Sequence, residues 1–330
     1  MAVTAPAATV DVTVAICTRN RPELLRRALA SLHAQHAAPA EILVVDNAPA
    51  DGATRDAVSE FTGVRYLVAP EPGLDFARNR ALSAATHEIV AFLDDDAVAE
   101  PGWTGALAAA FAADPRLGAC TSRVEPVGVD APGERLFEAN GGFFRGDRPV
   151  RLPEAARGPL HGRRAPLIAW AVSIGSGCGL AVRRTLALGL GGFDEALDLG
   201  PALPGGGDHD MLWRVLQSGA RIGYEPSARL RHAHRADERA AVDQIVGHQR
   251  ALVALLTKSL RAAPRGDKPA IATFLVWRLL KPGARLARRL AGREPLPAAA
   301  LARMWVHTWR GLAAYPAAQR VARERREAAR

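Results

Sequence analysis

Along the first hundred residues, short unbroken apolar runs alternate with stretches whose apolar residues recur every three or four positions. Val12 to Cys17, Glu41 to Asp46, Val64 to Val68 and Glu88 to Leu93 are of the first kind and predict strands, the most apolar of them buried on both faces of a sheet. Between them, Leu24, Leu25, Ala28, Leu29 and Leu32 follow Pro22 at helical spacing, and Asp51 to Phe61 and Leu74 to Ala85 suit helices as well. Strands alternating with helices predict an α/β protein with a mainly parallel central sheet, whose ligands collect at the carboxyl ends of the strands. Three of those ends are polar: Thr18 to Arg21, Asp46-Asn47 and Asp94 to Asp96. Gathered on one edge, they suggest a nucleotide-binding site.

Further on, Trp103 to Asp114 predicts a helix and Leu117 to Val124 a strand. Glu125 to Pro166 loses regularity under repeated Pro and Gly, and loops of that length are usually functional or disordered. Leu167 to Ile174 returns to strand character, Arg221 to Glu225 predicts another strand, and Asp237 to Leu260 a long helix. Beyond it, Pro264, Gly266, Pro282 and Glu294-Pro-Leu-Pro297 divide the tail into short amphipathic pieces. Phe274 to Leu280 and Met304 to Trp309 set Trp and aliphatic residues beside Arg. That composition suits a membrane interface or packing on the rest of the chain.

The triplet Asp94-Asp95-Asp96 closes the most apolar of the strands. Side chains alternate along a strand, so Asp94 and Asp96 share one side and Asp95 takes the other. Two hard oxygen ligands on one side suit Mg²⁺ or Mn²⁺, which relieves the repulsion between them and completes its shell with substrate phosphates. A second acidic cluster, Gly205-Gly-Gly-Asp-His-Asp210, sits where a helix starts, and Asp208 could simply cap it. His232 and His234 are spaced to share a strand face. A phosphate-binding glycine loop at Gly175 and Gly177 is excluded, because no helix with Lys-Ser or Lys-Thr follows.

Charge redraws the picture mainly at the tail. The net charge is +9, yet from Lys258 to Arg330 there are 17 Lys or Arg against 4 Asp or Glu, which leaves the first 257 residues slightly acidic. The basic tail could meet anionic lipid, nucleic acid or an acidic partner, nucleic acid being the least expected of the three. Cys17, Cys120 and Cys178 are odd in number and widely spaced, as in a cytosolic protein with reduced, buried thiols. No secretory signal opens the chain, and no run of eighteen apolar residues predicts a spanning helix.

Four segments, Val14-Ala-Ile-Cys-Thr-Arg-Asn-Arg-Pro22, Ile42-Leu-Val-Val-Asp-Asn47, Pro72-Gly-Leu-Asp-Phe-Ala-Arg-Asn-Arg80 and Phe92-Leu-Asp-Asp-Asp96, resemble in order and spacing the successive motifs of family 2 glycosyltransferases. The resemblance covers about Val12 to Arg235 and implies the GT-A fold, a nucleotide-binding α/β sandwich. It also implies an inverting, metal-dependent transfer of a hexosyl or deoxyhexosyl group from a UDP-, dTDP- or GDP-sugar to the hydroxyl of a glycan, lipid-linked or small-molecule acceptor. By resemblance, Thr18, Arg21, Asp46, Arg78 and Asp94 would contact the nucleotide, and Asp94, Asp96 and His232 would hold the metal. Asp208 would be the general base, with Gly207 standing where the family usually has a preceding acid. Asp210, His234 and Arg235 are further candidates for diphosphate or acceptor contacts. The expected organisation is a leader over 1–11, a catalytic domain over 12–235 and a helical basic extension over 236–330, the catalytic part dividing into nucleotide-binding (12–126) and acceptor (127–235) halves. The rival readings are a nucleotidyltransferase on a similar sheet and a non-catalytic protein that binds membrane or nucleic acid through its tail.

Overall fold

The computed structural model describes residues 10–157 and 166–329, so most of the leader and the end of the irregular stretch lie outside the described residues. Its elements are β1 (Val12–Thr18), α1 (Pro22–His33), β2 (Glu41–Asn47), α2 (Ala53–Ser59), β3 (Val64–Ala69), α3 (Leu74–Ala84), β4 (Ile89–Asp94) and β5 (Ala97–Ala99). There follow α4 (Trp103–Ala113), β6 (Leu117–Pro126), α5 (Pro132–Ala139), β7 (Val150–Leu152), α6 (Leu167–Ile174), β8 (Leu180–Arg183) and α7 (Arg184–Gly189). The remainder is α8 (Gly207–Gln217), β9 (Arg221–His232), α9 (Glu238–Ala262), α10 (Lys268–Leu290) and α11 (Ala298–Ala328).

The strands form one sheet in the order β3-β2-β1-β4-β8-β6-β9-β5, with β7 also paired to β9. Strands β3, β2, β1 and β4 are all parallel. The other half is mixed, since β8 runs antiparallel to both β4 and β6 while β6 and β9 are parallel. Alternation sends Val14, Ile16, Val44 and Leu93 into one apolar layer with α1 and α4, and Ala15, Leu43, Val45 and Phe92 into another. The second layer runs without a break into α8, α9 and parts of α10 and α11. Register then sets the site: Thr18 lies beside Asp46, and Cys17 beside Asp94.

Two expectations fail here. Leu167–Ile174 is a helix, not a strand. Every residue of that segment is apolar or small except Ser173, so its pattern carries no period to separate the two. The tail is not cut into short pieces either, because α10 runs for 23 residues through Pro282 and α11 for 31 through Pro316. A proline cannot donate to the carbonyl four residues back. At Pro282 that carbonyl belongs to Arg278, and the Gln249 side chain of α9 donates to it instead at 3.1 Å. Pro264, Gly266 and Glu294-Pro-Leu-Pro297 do fall at the breaks between helices. Each tail helix packs one face inward, with Ile271, Leu275 and Leu279 from α10 and Leu301 and Met304 from α11. Val276, Trp277 and Leu280, and Trp305, Val306 and Trp309, face outward and are exposed. No described helix is long and apolar enough to cross a membrane. All three cysteines are free thiols, and Cys120 and Cys178 are buried.

Candidate active site

Asp94 ends β4, and Asp95 and Asp96 form the turn that follows, so the turn rather than strand alternation divides the three. Asp95 turns back into the fold, where it accepts from the Thr18 hydroxyl at 2.7 Å and from Arg21 at 3.1 Å. Asp94 and Asp96 turn the other way. Together with His232 they bring one ligand atom each within 4.8 Å of one another. His232 reaches them because β9 pairs antiparallel with β5, its last residue opposite Ala97. Its Nε2 lies 3.1 Å from Asp96 Oδ1. On its other side Nδ1 lies 3.1 Å from His234 Nδ1, and His234 Nε2 lies 2.8 Å from Glu138 of α5.

This triad fits a divalent cation. Burial and the neighbouring charge of Asp96 push the Asp94 carboxyl up to about 6. Among the described residues no side chain donates a hydrogen bond to Asp94, so the repulsion is left for a cation to relieve. An imidazole with its second nitrogen engaged is the usual form of a metal-ligating histidine.

The second acid is placed by α8. Gly205 and Gly206 take positive φ angles of 130° and 103°, which lets the chain turn sharply into the helix. The first helical amide, Gly207 N–H, donates to Asp198 at 2.8 Å. Asp198 therefore serves the first amide of the helix, while Asp208 accepts from the first-turn amide of His209 at 2.7 Å and keeps its second oxygen for other partners. Burial works against the charge of Asp208. The charges of His209 and Arg78 and the His209 amide outweigh it and hold this carboxyl below the usual range. Arg78 is itself buried, 2.9 Å from Asp75 and 3.6 Å from Asp198. Backbone must come close here: a Cβ on Gly177 would lie 2.7 Å from Arg78 Nη2 and 3.3 Å from Asp208 Oδ2. A Cβ on Gly207 would lie 1.9 Å from Asp75 Oδ2. The space beside Gly207, where a preceding acid was expected, is occupied by the carboxylate of Asp75.

A cavity of about 510 Å³ brings Arg78, Asp94, Asp96, Asp208, His232 and Arg235 together. Thr18, Arg21 and Asp46 lie outside it. Asp46 is fully buried at the end of β2; the Tyr66 hydroxyl donates to one oxygen at 2.8 Å, and the other has no partner among the described residues. Asp210 and His234 do not line the cavity. Asp210 is turned toward α9 and held by Arg214 at 2.7 Å and Lys258 at 2.5 Å, which uses both its oxygens internally. His234 backs His232, as described. No local pattern singles out Asp75, Asp198 or the cations Arg278, Lys281 and Arg285, which α10 adds to the lining.

Residues 13–187 match the family model described as glycosyl transferase family 2. The chain is 31% identical over 233 residues to the pre-mycofactocin glycosyltransferase of Mycobacterium tuberculosis, covering 69% of this chain. It spans only 44% of that relative's length. It is 28% identical to the succinoglycan biosynthesis protein ExoM of Rhizobium meliloti, over 68% of this chain and 67% of that one. Among solved structures, the mannosyltransferase PcManGT from Pyrobaculum calidifontis, in complex with GDP-Man and Mn²⁺, superposes with a TM-score of 0.57 at 24% identity, covering 95% of this chain and 90% of that one. GalNAc-T7, solved with UDP, GalNAc and Mn²⁺, gives a TM-score of 0.53 at 14% identity, over 88% of this chain and 59% of that one. Likeness at these identities establishes the fold, which is GT-A.

Proposed function

The chain belongs to glycosyl transferase family 2, and on that premise we propose that it moves a sugar from a nucleotide-diphosphate sugar to the hydroxyl of an acceptor, with inversion. The observation that carries this reading is the opening of two separate acidic groups, Asp94 with Asp96 and Asp208, onto a single cavity. One group suits the leaving side of the reaction and the other the attacking side. Asp94, Asp96 and His232 would hold Mg²⁺ or Mn²⁺, which when bound offsets the negative charge that develops on the leaving diphosphate. The buried Arg78, anchored by Asp75, presents a fixed cation to the same region. Arg235 adds a second at the cavity wall.

Asp208 acts as general base. It takes the proton of the acceptor hydroxyl as that oxygen bonds to the anomeric carbon and the bond from that carbon to the diphosphate breaks. A base must be ionised at working pH, and the lowered pKa of Asp208 meets that requirement. Asp46 serves the donor at the other side of β1. Its unpartnered buried oxygen is an acceptor for an N–H of the nucleoside base, and its cost to the fold is offset when the base arrives. Thr18 supports the site indirectly, by holding Asp95 and with it the turn that carries Asp96, and Arg21 holds Asp95 at 3.1 Å and reaches Asp96 itself at 3.5 Å.

The test is nucleotide release. UDP-, dTDP- and GDP-sugars are offered with Mn²⁺, Mg²⁺ or chelator, and free nucleoside diphosphate is measured with water as the acceptor. Release from one donor with metal, its loss on chelation and its loss in Asp208→Asn support the proposal. No release from any donor under any condition would remove its basis.

A further inference from the structure

The cavity has two chemically unlike ends. One holds Asp94, Asp96 and His232, with Arg78 and Asp208 beside them; the other is lined by α10 through Arg278, Lys281 and Arg285. Of these three cations only Arg285 is neutralised among the described residues, by Glu294 at 2.9 and 2.5 Å. Arg278 donates to the neutral Gln249 side chain, and its buried Nε has no partner among the described residues. Lys281 stands 5.1 Å from the Trp277 ring centre and forms no hydrogen bond or ion pair with any described residue. A partly buried cation with no anion is costly, and a ligand can supply the missing charge. Burial pushes Lys281 down to about 7 and Arg278 to about 10, with neighbouring arginines adding to the effect.

Helix α9 links the two ends. A Cβ on Gly205, at the turn into α8, would lie 3.7 Å from His248 Cδ2, and the next residue of α9, Gln249, holds the Arg278 guanidinium. The cationic end is thus joined through His248 and Gln249 to the turn that carries Asp208.

We infer that the acceptor carries an anionic group, a phosphate or a carboxylate, which Arg278 and Lys281 receive while the acceptor's hydroxyl lies at Asp208. This rests on the transferase reading, because it assigns the far end of the cavity to an acceptor. A phosphate or carboxylate bridging a guanidinium and an ammonium makes charge-assisted hydrogen bonds that the protein itself leaves unmade. The tail helix α10 thus takes part in acceptor recognition. Pro282 belongs to the same device, since its missing N–H leaves the Arg278 carbonyl to Gln249, the residue that also holds the Arg278 guanidinium.

The chain has three lysines, Lys258, Lys268 and Lys281. In full-length protein labelled with ¹³Cε-lysine, each resonance can be assigned by substitution and followed in a pH titration. The titration is run with chelator at constant ionic strength, without anion and then with phenyl phosphate or benzoate. The Lys281 resonance is expected to titrate near neutrality and to move up by about one pH unit with the matching anion, while Lys258 and Lys268 stay in place. Arg278→Gln is expected to weaken the effective anion about tenfold. A response to phenyl phosphate assigns a phosphorylated acceptor, and a response to benzoate a carboxylated one. If Lys281 ignores both anions, or if all three lysines respond alike, the inference is overturned. A protein that binds the anion at Lys281 yet releases nucleotide from no donor keeps the anion site and loses the transferase reading; the reverse result loses only the anion site.

Discussion

Gly207 and Asp75 make a packing claim that two substitutions can test. A Cβ on Gly207 would meet Asp75 Oδ2 at 1.9 Å and Cγ at 2.6 Å, and Asp75 is completely buried. Gly207→Ala must therefore displace the carboxylate that holds Arg78 at 2.9 Å. Overpacking costs about 1–3 kcal/mol, and disrupting a buried pair can cost about 3–5 kcal/mol. Arg78 keeps Asp198 at 3.6 Å, so we expect a total near the low end, about 3 kcal/mol. Asp75→Ala alone should cost a similar amount. The combination is the informative case. With the Asp75 carboxylate gone the added methyl has room, and alanine is favoured over glycine in a helix by up to about 1 kcal/mol. Gly207→Ala should thus be neutral or stabilising in the Asp75→Ala background, which gives a coupling of about 3 kcal/mol. Urea unfolding followed by circular dichroism measures all four corners of the cycle. If Gly207→Ala costs the same in both backgrounds, the claim that Asp75 fills the space beside Gly207 is wrong.

Further consequences concern charge and the donor. Lys281 has its folded pKa near 7, below its unfolded value, so between about pH 7 and 10 the unfolded chain binds a proton that the folded chain does not. Stability should rise with pH across that window in the wild type and stay flat in Lys281→Met. The upper bound on the difference is about 5 kcal/mol, which solvent access reduces to roughly half; thermal denaturation at the two ends of the window checks it. Glu138→Gln loosens the His234 support of His232 and should weaken Mn²⁺ binding by about 10-fold or more, read from the electron paramagnetic resonance signal of free Mn²⁺. Asp46→Ala removes the buried acceptor and should cost about 1–3 kcal/mol of nucleotide binding while leaving Mn²⁺ affinity alone, as calorimetry would report.

The parts of the site that were legible in the sequence are those built by neighbours along the chain. An apolar run that ends in Asp46 or in Asp94 to Asp96 announces both a buried strand and the acid at its tip, and β-sheet register brings the tips together. His232 came from resemblance and spacing, and β9 delivers it. What stayed hidden depends on distant pairings. Asp75 and Asp198 look like ordinary polar residues until α3, the loop before α8 and Arg78 converge. Lys281 reads as one charge of a basic tail, because nothing local says that α10 folds back over the cavity. Asp210 is a lesser candidate than Asp208 in the sequence itself, and only the fold brings Lys258 from α9 to one of its oxygens. Leu167–Ile174 misled for a simpler reason: a short segment that is apolar nearly throughout has no period to read.

The central claim is that the two acidic groups divide the reaction, one serving the donor and the other the acceptor. Calorimetric titration of nucleotide sugars, with Mn²⁺ or chelator, into wild type, Asp96→Ala and Asp208→Asn tests it most directly. The account predicts one donor that binds only with metal, loses binding in Asp96→Ala and keeps it in Asp208→Asn, whose turnover is nonetheless abolished. Donor binding that survives in Asp96→Ala or disappears in Asp208→Asn would contradict it.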